Sequence, residues 1–328
     1  MAKQIDTWVQ WRCKVPSRRV QVTLFVMVLA GTTWLTADAV SAQTQKSEKE
    51  PGARTWLAER AKLPPFNPPR MADGKPNLQG FWDGIFAGDD LEEVPEEIDR
   101  TTPAAESRIG DPPDGKIPYQ PWALGERARH RYGLGRGWPG EAGQRLYADP
   151  QGYCLLGVPR PAQRGFELVQ TPELVVWLLG PQMAYGYYRT IPVSDRPHMN
   201  PGAAKLWMGI ARARWDADTL VIDTRYMNGK MWLDSAGNFF SENARVIERL
   251  RMVDMNTLDY QATIEDPSVF TRPWTINAPL RRRQFRDGDA YARENWEAAC
   301  NEGNGNGIED LQSLGFKWFR GITPLPVK

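Results

Sequence analysis

Along residues 245–253 polar and apolar side chains alternate with a period of two. Val246, Glu248, Leu250 and Met252 fall on one side, and Arg245, Ile247, Arg249 and Arg251 on the other. Residues 258–265 repeat the pattern, with Leu258, Tyr260, Ala262 and Ile264 on one face and Asp259, Gln261, Thr263 and Glu265 on the other. A strand with one buried face requires this alternation, because successive side chains leave opposite sides of the pleat. Asp254-Met255-Asn256-Thr257 supplies turn residues between the two segments, so together they predict a hairpin. A second hairpin is predicted for 211–215 and 220–226 around Asp216-Ala217-Asp218-Thr219. Further β-prone runs cover 166–170, 174–179 and 184–191. A last strand at 271–283 contains Pro273 and Pro279, which confine it to a sheet edge or limit its length.

The other half of the chain reads differently. Trp56, Leu57 and Ala61 predict one side of a short helix stopped by Pro64-Pro65, and 67–77 an extended loop. Residues 89–118 are acidic and rich in Pro; the segment has little to bury and is expected to wrap the surface or close over an opening. Residues 121–132 predict a second helix, ended by Gly133 and Gly135. Strands that follow one another without intervening helices predict a mainly β fold, an antiparallel barrel or sandwich. The expected organisation is a signal peptide at 1–42, an N-terminal extension at 43–135 and an antiparallel β domain at 136–328, joined by a strand at Gly80–Trp82.

At the N-terminus, Arg12, Lys14, Arg18 and Arg19 precede an apolar run at 20–35, followed by Val40-Ser41-Ala42. That order is the one a signal peptide requires, with removal after Ala42, and it places the protein in the periplasm or outside the cell. An uncleaved anchor is the rival, but the run is shorter than the roughly 20 apolar residues of a spanning helix. Ser17-Arg18-Arg19-Val20-Gln21-Val22 is similar to a twin-arginine export signal, with Gln21 in place of the usual apolar residue. The formal net charge of +1 offers no basic field for nucleic acid, and no stable membrane insertion is expected after processing. Arg281-Arg282-Arg283 is a local run at a strand end. Two cysteines, Cys154 and Cys300, remain after processing; in an oxidising compartment they pair as a disulfide or stand as two separate buried thiols.

Several segments in chain order resemble a family of secreted bacterial proteins of uncharacterised function. They are Asp73-Gly74-Lys75-Pro76-Asn77-Leu78-Gln79-Gly80-Phe81-Trp82, Cys154-Leu155-Leu156-Gly157-Val158-Pro159-Arg160, Arg196-Pro197-His198, Asp218-Thr219-Leu220-Val221-Ile222-Asp223-Thr224, Trp232-Leu233-Asp234, Glu248-Arg249, Glu265-Asp266-Pro267 and Thr271-Arg272-Pro273-Trp274. The resemblance implies a shared fold and the cysteine pair, and carries no reaction. Phe240 and Arg245 stand where such relatives often have His. Gly80-Phe81-Trp82 also resembles the G-x-W opening of lipocalin-type barrels, whose Trp closes one barrel end; this implies a calycin-like barrel.

Candidate chemistry is sparse. Only His130 and His198 remain in the exported chain, and His198, in a loop after Asp195-Arg196-Pro197, is the first candidate acid or base; otherwise it braces its loop. Glu248, on the apolar face of its strand, must find a partner or raise its pKa. It is a candidate general base or a buried structural pair with Arg189 or Arg272. Asp223 is a third catalytic candidate, whereas Asp234 reads as a turn residue making backbone hydrogen bonds. Tyr185 and Tyr187 alternate onto one face beside Arg189; with Trp215, Trp232, Arg272 and Trp274 they are the candidate pocket lining. Residues 302–308 mimic half of a calcium loop, but Ser313 stands where its bidentate Glu belongs, so no metal is expected. No dinucleotide fingerprint or G-x-S-x-G segment is present, and no cofactor is expected. Two readings follow: a protein holding a small apolar or aromatic molecule in its barrel, or a cofactor-free lyase, isomerase, hydratase or hydrolase using His198 and Glu248.

Overall fold

The computed structural model describes residues 51–84, 90–94, 104–131, 147, 149–163, 165–179, 187–202 and 204–285, with positions 309, 312, 313, 317 and 321. The chain divides into two units, Met1–Ser47 and Glu48–Lys328, and every described residue belongs to the second. The predicted signal segment, Tyr185, Cys300 and the loop at 302–308 lie outside the described residues. The predicted boundary at 135 also lies outside the described residues. Among the described residues no helix is long and apolar enough to cross a membrane.

The alternating segments become the walls of a nearly closed antiparallel β-barrel. Its strands are β1 (Gly80–Asp83), β2 (Ile109–Asp111), β3 (Phe166–Gln170), β4 (Leu174–Leu179), β5 (Tyr188–Pro192), β6 (Ile210–Asp216), β7 (Thr219–Arg225), β8 (Arg245–Asp254), β9 (Thr257–Glu265) and β10 (Trp274–Arg282). They run β5-β4-β3-β1-β10-β9-β8-β7-β6, with β2 pairing β10. Every ladder on this path is antiparallel. Nine strands alternating in direction leave β5 and β6 pointing the same way, so the closing junction has to be parallel. It is: a single parallel bridge joins Val193 to Ala213, and the Ser194 N–H donates to the Ala213 carbonyl at 2.9 Å. Among the described residues a ladder is thereby replaced by one bridge, and the β5–β6 seam is the weakest hydrogen-bonded join in the wall.

Both predicted hairpins form. Ala217, at φ 49°, turns the β6–β7 hairpin, and in the β8–β9 turn the Asp254 carboxylate accepts the Asn256 N–H at 2.7 Å. Pro279 is a correction. It sits inside β10, paired with Asp259 of β9, and does not end the strand. On the other side of β10, β2 pairs at Thr275 and Ile276 while β1 pairs at Arg281 and Arg282, so Pro279 occupies the gap between them. A residue without an N–H costs least there.

Inside the barrel, side chains pack. Leu220 and Ile222 of β7, Val246 and Leu250 of β8, and Ala262 and Ile264 of β9 are buried together with Trp82, Phe166, Trp177 and Trp274. Trp82 is fully buried in this core. Its indole N–H donates to the Leu78 carbonyl at 2.9 Å, and the Arg282 guanidinium lies over its ring at 4.2 Å. Outside, helix α1 (Ala53–Arg60) covers β10; Trp56 and Arg60 both donate to the Asp259 carboxylate, at 2.9 and 2.8 Å.

The acidic segment at 89–118 overturns an expectation. Its described part buries Asp90, Leu91, Glu92, Val94, Arg108, Ile109 and Ile117, and contributes β2 to the sheet. Partners make this burial tolerable. Helix α2 (Pro121–Arg131) brings Arg127 within 2.7 Å of Glu92 and 3.7 Å of Asp90, while backbone N–H groups take further carboxylate oxygens.

Candidate functional site

Strand register decides which polar side chains enter the barrel. Ile222 lies opposite Glu248, and Glu248 opposite Ala262, so Glu248 shares the inward face with Thr224, Leu250 and Tyr260. Arg189 points inward from β5 between the exposed Tyr188 and Thr190. Relative exposure is 0% for Glu248 and 4% for Arg189. The two meet: Arg189 Nη2 is 2.6 Å from Glu248 Oε2. The same Nη2 donates to Thr224 Oγ1 at 2.8 Å, and the Tyr260 hydroxyl donates to Glu248 Oε1 at 2.9 Å. Burial, then the neighbouring Glu248 charge, raises the Tyr260 pKa well above its ordinary value, so the phenol stays a donor.

Aromatic rings back this cluster. The Arg189 guanidinium lies 5.1 Å from the Trp177 ring centre, and Trp177 stacks on Phe166 at 4.2 Å with planes 3° apart. Several donors here have no protein acceptor: Arg189 Nε and Nη1, and the indole N–H of Trp177. Buried N–H groups are nearly always paired, and leaving one unpaired costs about 1–3 kcal/mol. A guanidinium satisfied on one nitrogen only is therefore the anomaly of this interior.

Other candidates fall in different places. Tyr187, one residue before β5, is half-buried against the core on the Arg189 side, and Trp215 packs against the core at the β6 end. Trp274 is fully buried, edge-on to Phe270 at 5.6 Å, with its indole N–H unpartnered. Trp232 lies in the β7–β8 connection, stacked on His130 at 5.2 Å. Arg272 is a correction. It is exposed, in the turn before β10, and ion-paired with Asp111 on the outer surface.

Asp223 faces outward. Arg245 donates to it at 2.9 and 3.1 Å and Arg225 at 3.2 Å. Burial pushes its carboxyl pKa up, but these hydrogen bonds outweigh burial and hold it below the usual range, which suits a structural anion better than a proton acceptor. His198 is half-buried, with Nε2 2.9 Å from the Asp223 backbone carbonyl. A carbonyl only accepts, so Nε2 carries the hydrogen. The catalytic pairing of His198 with Glu248 is not formed: His198 rests on main chain, whereas Glu248 is enclosed with Arg189 and Tyr260.

A second polar cluster was not foreseen as a unit. Asp234 accepts N–H groups of Asn238 and Leu91, as its turn reading expects. It also takes the Asn238 side-chain amide at 2.6 Å, which donates to Asp90 at 3.0 Å as well. The Tyr119 hydroxyl closes the network on Asn238 Oδ1 at 3.1 Å. Burial, then the nearby Asp90, pushes the Asp234 carboxyl up to about 6. Its members come from distant segments, and only Asp234 carried a sequence signal.

Three clefts lined by described residues hold none of the inward candidates. One of about 670 Å³ lies between α1 and the wrapped segment, lined by Arg54, Glu93, Glu106 and Asp114 among others. Its Glu106 already accepts from the Gly52 N–H and the Thr55 hydroxyl, at 3.1 and 2.8 Å. Another, of about 410 Å³, is lined by Arg60, Arg249, Arg251 and Asp259. These are ordinary solvated surfaces beside the unsatisfied interior. Among the described residues no group of three or more His, Cys, Asp or Glu could hold a metal ion. No protein-family model, curated protein or solved structure matches the chain.

Proposed function

We propose that this is an exported protein that binds a small molecule inside its barrel, at the Arg189–Glu248–Tyr260 cluster. One observation carries the reading. A charged pair sits at nearly zero exposure in an otherwise apolar interior, with guanidinium and indole donors left over. Removing two ions from water costs several kcal/mol each, and well-packed apolar side chains commonly do as well or better for stability. An interior serving only the fold gains nothing from this arrangement; one that orients a polar guest does. The neighbouring strand favours access, since the inward residues of β6 beside β5 are the small Ala211 and Ala213. The seam they border is held by one bridge.

Acetophenone, which quenches indole emission, is a suitable probe. Saturable quenching of the tryptophan fluorescence is expected, together with a raised thermal midpoint, because a ligand held by the folded state alone stabilises it. Both effects should vanish in the variant Arg189→Met/Glu248→Leu/Tyr260→Phe. Quenching that rises linearly without saturating, or that survives unchanged in this variant, rejects the interior site.

The fully buried Cys154 is proposed to pair with Cys300, as an oxidising compartment favours. Intact-mass measurement after alkylation, with and without prior reduction, should show two cysteines that become reactive only on reduction. Labelling of both in unreduced, denatured protein excludes the bond.

A further inference from the structure

The charge count inside the barrel narrows the guest further, and the argument rests on the interior reading above. Arg189 contributes one positive charge and Glu248 one negative, at 2.6 Å. Thr224 and Tyr260, the other polar groups on the pair, are neutral hydroxyls. The cluster is balanced before any guest arrives. What it lacks is acceptors. Arg189 Nε–H, the Nη1 hydrogens and Trp177 Nε1–H have none, while Glu248 accepts from Tyr260 at Oε1 and at Oε2 lies 2.6 Å from Arg189 as an ion pair without hydrogen-bond alignment.

We infer that the guest is electrically neutral and presents a carbonyl-type oxygen to Arg189 and Trp177. A second carboxylate would find good donors but would leave one uncompensated negative charge in the barrel, an expensive state at this depth. A cationic guest would add one uncompensated positive charge to the balanced cluster and would compete with Arg189 for Glu248 Oε2. A pure hydrocarbon fills space and leaves the donors as they were. A ketone, amide, lactone or quinone oxygen satisfies them without changing the balance, and hydrogen bonds from a charged donor are the stronger kind.

Four probes of similar size separate these cases: acetophenone, benzamide, benzoate and toluene, titrated against the purified protein by calorimetry. Acetophenone and benzamide should bind about tenfold or more tightly than benzoate and toluene. Glu248→Gln then provides the decisive arm. It keeps an acceptor for Tyr260 but removes the negative charge, so the cluster becomes cationic. Benzoate affinity should rise by about tenfold or more and overtake acetophenone.

Wild type preferring benzoate, or Glu248→Gln leaving the order unchanged, overturns the neutral-guest inference while the interior site stands. Toluene binding as tightly as acetophenone does the same, since the donors would then be idle. If none of the four binds, the donors are met by internal water only, and inference and interior site fall together.

Discussion

Arg189→Met is expected to lower the unfolding free energy by about 3–5 kcal/mol, because it strands the Glu248 carboxylate in a dry interior. The replacement keeps an unbranched apolar stem against Trp177, so little of the loss comes from a cavity. It removes the only cation paired with Glu248 among the described residues, and Thr224 loses its donor. For a domain of this size the loss corresponds to roughly 6–20 °C in thermal midpoint. Glu248→Leu added to Arg189→Met should recover most of it, although the Tyr260 hydroxyl then lacks an acceptor, at about 1–3 kcal/mol. Adding Tyr260→Phe removes that residue of polarity. The triple variant should match or exceed wild type, as apolar replacement of buried ion pairs has a range of about 1–4 kcal/mol in its favour. Urea unfolding of the three variants gives the series directly. A mild loss in Arg189→Met, or no recovery in the triple variant, would mean that the cluster is hydrated and not enclosed.

The same series bears on function. A group of side chains that can be replaced for stability without loss is held by something other than the folding free energy. Should the triple variant fold as well as wild type yet no longer quench with acetophenone, the cost of burying Arg189 and Glu248 is assigned to recognition. Stability and binding would then move in opposite directions, which a purely architectural role cannot produce.

How much of this was legible in the sequence depends on the range of the interactions involved. Strand β8 was legible because a period of two is local, and it put Glu248 inward before any partner was known. The β6–β7 and β8–β9 hairpins were legible for the same reason: turn residues and flanking strands lie together in the chain. The ion pair was half legible, since an inward acid demands a cation but one sequence cannot choose between Arg189 and Arg272. Strand pairing makes that choice. β5 follows β4 into the wall and carries Arg189 inside, whereas Arg272 stops in a turn and meets Asp111. Residues 89–118 misled because composition reports what a segment lacks in apolar area and says nothing of partners supplied from elsewhere. Arg127, Asn238 and several backbone N–H groups make burial of Asp90 and Glu92 feasible. The parallel β5–β6 seam was hidden too, since it follows from the parity of the whole ring.

The second large effect concerns pH. Asp234 titrates at about 6 in the folded protein, pushed up by burial and by Asp90, against 3.8 for an ordinary aspartate. A folded-state pKa above the unfolded one means that the native protein holds this proton more tightly. Its contribution to stability is therefore fully present below about pH 4 and is lost as pH rises through 6. The shift corresponds to about 3 kcal/mol at 1.36 kcal/mol per unit. Asp266, also pushed up by burial, acts in the same direction. Asp223 opposes them, since its carboxyl is held low and its contribution is lost on acidification. Whole-protein stability mixes these terms, so the informative quantity is the difference between wild type and Asp234→Asn at each pH. The variant loses an acceptor for the Leu91 or Asn238 N–H groups, a constant penalty, but it cannot titrate. Measured by urea unfolding at pH 4, 5, 6 and 7, the advantage of wild type should shrink by about 2 kcal/mol between the ends of the series, since at pH 4 the unfolded carboxyl is already partly ionised. A constant difference across the series would show that Asp234 keeps an ordinary carboxylate pKa. The network of Asp90, Asp234, Asn238 and Tyr119 would then not be the dry, mutually repelling pair of acids that its geometry describes.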